Sequence, residues 1–429
     1  MDPQQTLEEL LRKKGIGPQG SKSLKSQELT ELDHLMLNDA VSLTTKATML
    51  TALLTLEPNG DEKVWLEKIK EMPEENLPAE LLQFIKEEGT GLISYVRKII
   101  SRRELSYKEC KTCMDLLFDK NVPEYIKGPF LEGERLKRES FTENQAFFES
   151  LWERVDHIKL DMPVLIDICD SYDGANRTRI FSPFIAALLT SCGFPAYLHG
   201  VDKVAPKQGV STHQVLKYLG KDPLKSSEQL RRDIENSNVG WGYIDQQIFF
   251  PELYAMKNMR KEMVKRPFLA TFEKLLQPFQ ARSGNYIVTG YTHPHYKDEL
   301  VAQLKYQNQN AASLILKGVE GATQLSLSKD STYVLYNGTT IVDGTVNPVQ
   351  YGLQPLEAKQ DKSLTAKESA EEGLAALNGE KNYARENMLY LATVILDKMK
   401  LADPIVALDL LSKSLDSGKA FSHWEKGCN

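Results

Sequence analysis

Between residues 163 and 200 the hydrophobic period changes from strand to helix and back to strand, and no other stretch limits the fold as tightly. Pro163-Val-Leu-Ile-Asp-Ile-Cys169 is an apolar run of strand length, followed by a polar loop, Asp170-Ser-Tyr-Asp-Gly-Ala-Asn-Arg-Thr-Arg179. An apolar helix is predicted from Ile180 to Cys192, ended by Gly193, and a second strand from Ala196 to His199. Such a βαβ unit implies a parallel sheet, and ligands of parallel sheets gather in the loops at the carboxyl ends of the strands. Further strand candidates are Asn285–Thr289, Ala312–Leu316 and Thr332–Tyr336, with helices between and after them.

The first 157 residues have a different texture and read almost entirely as short amphipathic helices. Leu29, Leu32, Leu35 and Met36 fall on one face at helical spacing. The stretch from Glu28 to Val41 matches that from Glu109 to Val122 at a constant offset of 81, and Asp61-Glu62 then faces Thr142-Glu143. This spacing points to an internal duplication. Between the copies, Glu71-Met-Pro-Glu-Glu-Asn-Leu-Pro78 reads as a linker. The expected class is α/β: a helical N-terminal lobe plus a large, mostly parallel-sheet α/β lobe, with an extra N-terminal helical segment. The expected division is 1–90 for the extra segment, 91–160 for the helical domain and 161–429 for the α/β domain, with some small-lobe helices drawn from the last range.

Composition narrows the setting. At 429 residues the chain is long for one core, because single cores stop growing near ~250–300 residues. Hydrophobic residues make up 41% and charged residues 26%, which argues against disorder. No apolar stretch approaches the ~20 residues that span a bilayer, so no membrane partner is expected. The start, Met1-Asp2-Pro3-Gln4-Gln5, lacks the basic end and apolar centre of a signal peptide, and a cytoplasmic location is expected. Five cysteines fit a reducing compartment. Cys110 and Cys113 have CxxC spacing, but no second pair or nearby histidine completes a zinc site, and their helical context reads as buried small apolar residues.

The loop after the first strand offers Asn176, Arg177, Thr178 and Arg179, with Ser182 beyond, at a helix start, where free N–H groups and the dipole favour anions. The plainer reading is a capped helix with two solvated arginines. Lys203 and Lys207 follow the second strand and are expected to face the same crevice. Basic clusters at Arg97, Lys98, Arg102 and Arg103, at Arg135, Lys137 and Arg138, and at Lys257, Arg260, Lys261, Lys265 and Arg266 are interleaved with acids, the pattern of solvated helix faces. The net charge of −6 disfavours a general nucleic-acid coat but leaves a local basic groove open.

The order of segments from Asp161 onward resembles the anthranilate phosphoribosyltransferases (glycosyltransferase family 3) and, more distantly, the pyrimidine nucleoside phosphorylases, which share the class II nucleoside phosphorylase fold. The signs are Gly193-Phe-Pro-Ala-Tyr-Leu-His-Gly200, His213-Gln-Val-Leu-Lys-Tyr-Leu-Gly220, Glu273-Lys-Leu-Leu-Gln-Pro278, His293-Pro294, Val346-Asn-Pro-Val-Gln-Tyr-Gly-Leu353, Leu377-Asn-Gly-Glu380 and Ser414-Leu-Asp-Ser-Gly-Lys-Ala420. The resemblance implies a phosphoribosyl or related glycosyl transferase that binds a phosphorylated sugar or nucleotide, uses Mg²⁺ if catalytic, and forms a homodimer through the helical lobe. It also offers Tyr172, Gly174, His199, His213 and Arg266 as ligand contacts, Arg266 near the segment where the family's arginine meets the acceptor.

The departures are as informative. Where the family has a Gly-Thr-Gly-Gly-Asp loop, this chain has Asp170-Ser-Tyr-Asp-Gly174; the family's Lys-His-Gly-Asn-Arg is Leu198-His-Gly-Val-Asp202; and its metal-binding Asp-Glu pair falls on Thr323-Gln324, with Glu320 and Asp330 as nearby acids. Neutral side chains are poor Mg²⁺ ligands, so no metal set is read from the sequence. A divergent transferase-like protein that does not serve the anthranilate reaction is expected, the alternative being a non-catalytic homodimer that binds nucleic acid or a nucleotide.

Overall fold

The computed structural model describes residues 2–17, 20–73, 77–85, 89–307, 310–359 and 363–429. Part of the expected linker, residues 74–76, lies outside them. The chain divides into two units, one comprising Met1–Trp152 with Ala255–Ala270, the other Glu153–Tyr254 with Thr271–Asn429. The first unit therefore takes a segment out of the range 161–429. Among the described residues no helix is long and apolar enough to cross a membrane.

The helical unit is built from α1 (Pro3–Lys14), α2 (Ser26–Leu37), α3 (Leu43–Thr55), α4 (Gly60–Glu71), α5 (Ala79–Leu82), α6 (Leu92–Ile100), α7 (Tyr107–Phe118), α8 (Glu124–Lys137) and α9 (Phe141–Trp152). The starts of α2, α3 and α4, at Ser26, Leu43 and Gly60, are matched by those of α7, α8 and α9, at Tyr107, Glu124 and Phe141, all at the offset of 81. Capping follows the same offset. Glu62 accepts the N–H of Leu24 (2.9 Å) and of Asn59 (3.0 Å), and Glu143 accepts those of Leu105 and Ser140 (both 2.7 Å). Glu28 caps Lys25 N–H at 2.7 Å as Glu109 caps Ser106 N–H at 2.8 Å. Each glutamate meets orphan donors at a helix start, the usual reason for an acid three residues in. Cys110 and Cys113 are fully buried on α7, and burial pushes both thiols up.

The second unit carries nine strands among its described residues: β1 (Ile158–Leu160), β2 (Val164–Cys169), β3 (Ala196–Gly200), β4 (Trp241–Asp245), β5 (Phe279–Ala281), β6 (Gly284–Gly290), β7 (Asn310–Leu316), β8 (Ser331–Tyr336) and β9 (Ile341–Val346). Seven form one sheet in the order β4-β3-β2-β6-β7-β8-β9, parallel from β4 to β7 and antiparallel beyond, while β1 pairs with β5. The mostly parallel α/β class read from the sequence is thus what the chain adopts. Helix α10 (Ser182–Ser191) links β2 to β3 and is buried throughout, between β3 on one side and the helices Tyr383–Lys398 and Lys419–Lys426 on the other. An all-round apolar helix needs such cover, and Phe184 finds it on Trp424, which stacks on Trp241 at 4.9 Å. Because β2 sends its chain to β3 on one side and has β6 on the other, the strand order reverses at β2, where open α/β sheets form a crevice.

Candidate functional site

Three loops meet above that crevice: 170–181 after β2, 201–211 after β3 and 317–324 after β7. The first two are pinned by an antiparallel bridge between Ala175 and Val210. Gly174 sits at φ +72° with a Cβ position only 2.5 Å from Val210 O, so a side chain there meets backbone and a left-handed conformation at once. Tyr172, Ile180, His199, Val201, Val210 and Glu320 are among the residues that line a cavity of about 20 Å³. One water molecule needs roughly 10–15 Å³. Any larger ligand, phosphorylated or not, needs the surrounding loops to part.

The N–H groups that an anion would use are already engaged. Asn176 N–H donates to Glu320 Oε2 at 3.1 Å, and those of Arg177 and Thr178 to Oε1 at 3.0 and 2.9 Å. Burial would raise the Glu320 carboxyl, but these three bonds and nearby Lys207 outweigh it and hold the group below the usual carboxylate range. Lys207 Nζ donates to the carbonyls of Gly174 and Glu320, each at 3.1 Å, and lies 3.7 Å from Asp173 Oδ1. Further along, Ile180 N–H donates to Ser369 Oγ at 3.0 Å and Phe181 N–H to Gln324 Oε1 at 3.2 Å.

Asp170 and Thr323-Gln324 tie the loops together. Asp170 Oδ1 accepts from Thr323 N–H and Oγ1, both at 2.8 Å, and its Oδ2 accepts from Ser182 Oγ. Gln324 Nε2 donates to Arg179 O at 2.9 Å. The family to which the sequence is similar implies Mg²⁺, and these residues do not fit it: one acid holds three donors, the other caps three N–H groups, and the remaining pair is neutral.

The histidines are oriented by neighbours. Burial raises the pKa of the Tyr172 hydroxyl, which shares a hydrogen bond with His199 Nδ1, and His199 Nε2 lies 3.2 Å from Asp167 Oδ1. Tyr197 donates to the other Asp167 oxygen at 2.8 Å. Cys169 adjoins this pair; the ligand atoms of Asp167, Cys169 and His199 all lie within 4.8 Å of one another. His213 Nδ1 stands 2.7 Å from Asp245 Oδ2, which also accepts from Tyr243 at 3.1 Å.

Of the residues singled out by sequence, the crevice gathers Tyr172, Gly174, Asn176, Arg177, Thr178, Arg179, Ser182, His199 and Lys207. Arg179 pairs with Glu372 at 2.8 Å, Lys203 is exposed, and Arg266 belongs to the helical unit. The residue whose role sequence reasoning misses is Glu320, which the sequence marks only as an acid near Thr323-Gln324. Its one local signal is an acid beside Gly321 in the turn that follows β7.

No family model matches the chain. The anthranilate phosphoribosyltransferase of Thermoanaerobacter sp. (strain X514) is 25% identical over 342 residues, covering 75% of this chain and 97% of that protein. That of Desulfitobacterium hafniense (strain DSM 10664 / DCB-2) is 26% identical over 314 residues, covering 73% and 90%. Among solved structures, the Thermus thermophilus anthranilate phosphoribosyltransferase superposes with a TM-score of 0.63 at 19% identity, over 77% of this chain and 97% of that one. The Saccharomyces cerevisiae enzyme in complex with phosphoribosyl pyrophosphate and Mg gives 0.65 at 17% identity, over 78% and 96%. By these relatives and superpositions, this chain is a divergent anthranilate phosphoribosyltransferase-like protein in fold.

Proposed function

We propose that the chain is a non-catalytic binding protein on this fold, whose crevice takes an unphosphorylated ligand and does not bind phosphoribosyl pyrophosphate. The observation that carries the reading is the Glu320 carboxylate on the N–H groups of Asn176, Arg177 and Thr178. An internal carboxylate there does what a bound phosphate would do for the loop, and it repels a second anion. Asp170 adds another negative charge beside the same loop, and the cavity walls at Tyr172, Ile180, Val201 and Val210 suit an apolar molecule. The free cysteines, all five of them, support a reducing, cytoplasmic setting.

The nucleic-acid alternative has less behind it. Lys98 pairs with Glu109, Arg135 with Glu139, and Lys137 with Glu134 and Glu143, while Arg260 is buried, so much of the basic clusters is spent inside the helical unit.

The test is a calorimetric titration with inorganic pyrophosphate, on the protein as it is and on Glu320→Gly. Glycine suits the φ of +54° at this position, so the substitution frees three N–H groups without new strain. No binding to the unaltered protein and binding to the variant are expected. Pyrophosphate binding by the unaltered protein, or by neither, would overturn the reading.

A further inference from the structure

Helices α3 and α8 are counterparts in the two halves of the repeat, and they pack against each other. Both are buried almost all round, every residue from Thr44 to Leu53 on α3 and every residue from Ile126 to Glu134 on α8. A helix serving one small bundle buries a single stripe. Here each central helix has its own repeat on one side, α1 against α3 and α6 against α8, and the opposite central helix on another.

The contact falls at equivalent positions. A Cβ on Gly128 would stand 2.9 Å from Thr44 Cγ2 and 3.5 Å from Thr48 Oγ1, and one on Gly133 would stand 3.3 Å from Thr51 Cγ2. At the offset of 81, Gly128 and Gly133 correspond to Ala47 and Ala52, small residues on the same stretch of α3 as those threonines. The crossed packing runs both ways as well: α6 touches α3, and a Cβ on Gly15, just after α1, would stand 2.9 Å from Glu132 Oε1 of α8. Two equivalent elements meeting through equivalent faces is the arrangement of an isologous two-fold interface between subunits.

We propose that the first repeat fills, within one chain, the face of α8 that the second repeat would otherwise offer to another subunit, and that the protein is consequently a monomer. The resemblance implies a homodimer through the helical lobe; in this proposal the α3–α8 pairing takes the place of that interface within one chain. Small residues let the two backbones approach closely, and the dispersion attraction between them needs no second chain.

Two measurements on the full-length chain test this. Light scattering should give a mass near 48.5 kDa at low and high concentration; a dimer mass would overturn the proposal. In the doubly substituted protein Thr51→Cys, Gly133→Cys, oxidation with diamide should close a disulfide, because the Gly133 Cβ position is 3.3 Å from Thr51 Cγ2. The oxidised protein should migrate as a monomer on a non-reducing gel. A disulfide-linked dimer, meaning that the repeats pair between chains, or no disulfide at all, would each overturn it.

Discussion

Glu132, on α8, is fully buried with neither carboxyl oxygen hydrogen-bonded among the described residues. Burial pushes its pKa up to about 8, with Lys265 and Arg135 pulling the other way. The folded chain thus keeps the proton while the unfolded chain loses it in the ordinary carboxylate range. Stability from this group is fully present below that range, declines as pH rises towards about 8, and is level beyond. We expect Glu132→Gln to flatten that decline and to be the more stable protein at pH 8, by up to ~4 kcal/mol. Urea midpoints measured from acid to mildly basic pH would show it, and parallel curves for the two proteins would refute it. Single residues divide in how far the sequence reveals them. His199 and Lys207 are legible because they lie at and just beyond the end of β3, on the side of the sheet where ligands gather. The role of Glu320 is not, since its partners Asn176, Arg177 and Thr178 lie more than 140 positions away and its effect depends on a left-handed backbone turn.

Among the elements, the two helix-capping glutamates allow a matched experiment. Glu62 ion-pairs with Lys14 at 2.8 Å and Glu143 with Lys137 at 2.6 Å, and all four side chains are buried. Removing one partner of a buried pair costs ~3–5 kcal/mol, because the other charge is left stranded. Glu62→Ala should lose about that much. Glu143→Ala should lose less, because Glu134 remains 3.2 Å from Lys137. Chemical denaturation of both variants tests the order, and a larger loss in Glu143→Ala would contradict it. The elements themselves are legible where they are apolar and local. Strand β2, helix α10 and strand β3 fall within two residues of their expected bounds. Strand β4 escapes a reading by pattern: Trp241-Gly-Tyr-Ile-Asp245 is interrupted by Gly242, where a Cβ would stand 3.1 Å from Leu230 Cδ2. Strand β9 escapes for the opposite reason, since it is an exposed edge with no apolar face to mark it.

For the whole molecule, the relatives fix a fold and the crevice decides what the fold can do. Phosphoribosyl transfer brings several negative charges into one cleft, and it depends on preorganised donors and metal to stabilise the departing pyrophosphate. Losing one such donor typically costs ~10²–10³-fold in rate. Here the three N–H groups of the loop hold Glu320, the carboxylate of Asp170 holds Thr323 and Ser182, and Thr323-Gln324 offers no anionic metal ligand. Opening the crevice would have to break the Glu320 bonds and the Lys207 ties to Gly174 and Glu320 before any substrate found a partner there. His199 is held in place as well, with Nδ1 on Tyr172 and Nε2 3.2 Å from Asp167. With anthranilate, phosphoribosyl pyrophosphate and Mg²⁺, a fluorescence assay of anthranilate consumption should therefore show no turnover above the enzyme-free control. Turnover approaching the ~10 s⁻¹ typical of enzymes would mean that Glu320 leaves the loop when substrate arrives, and that the crevice is a working active site.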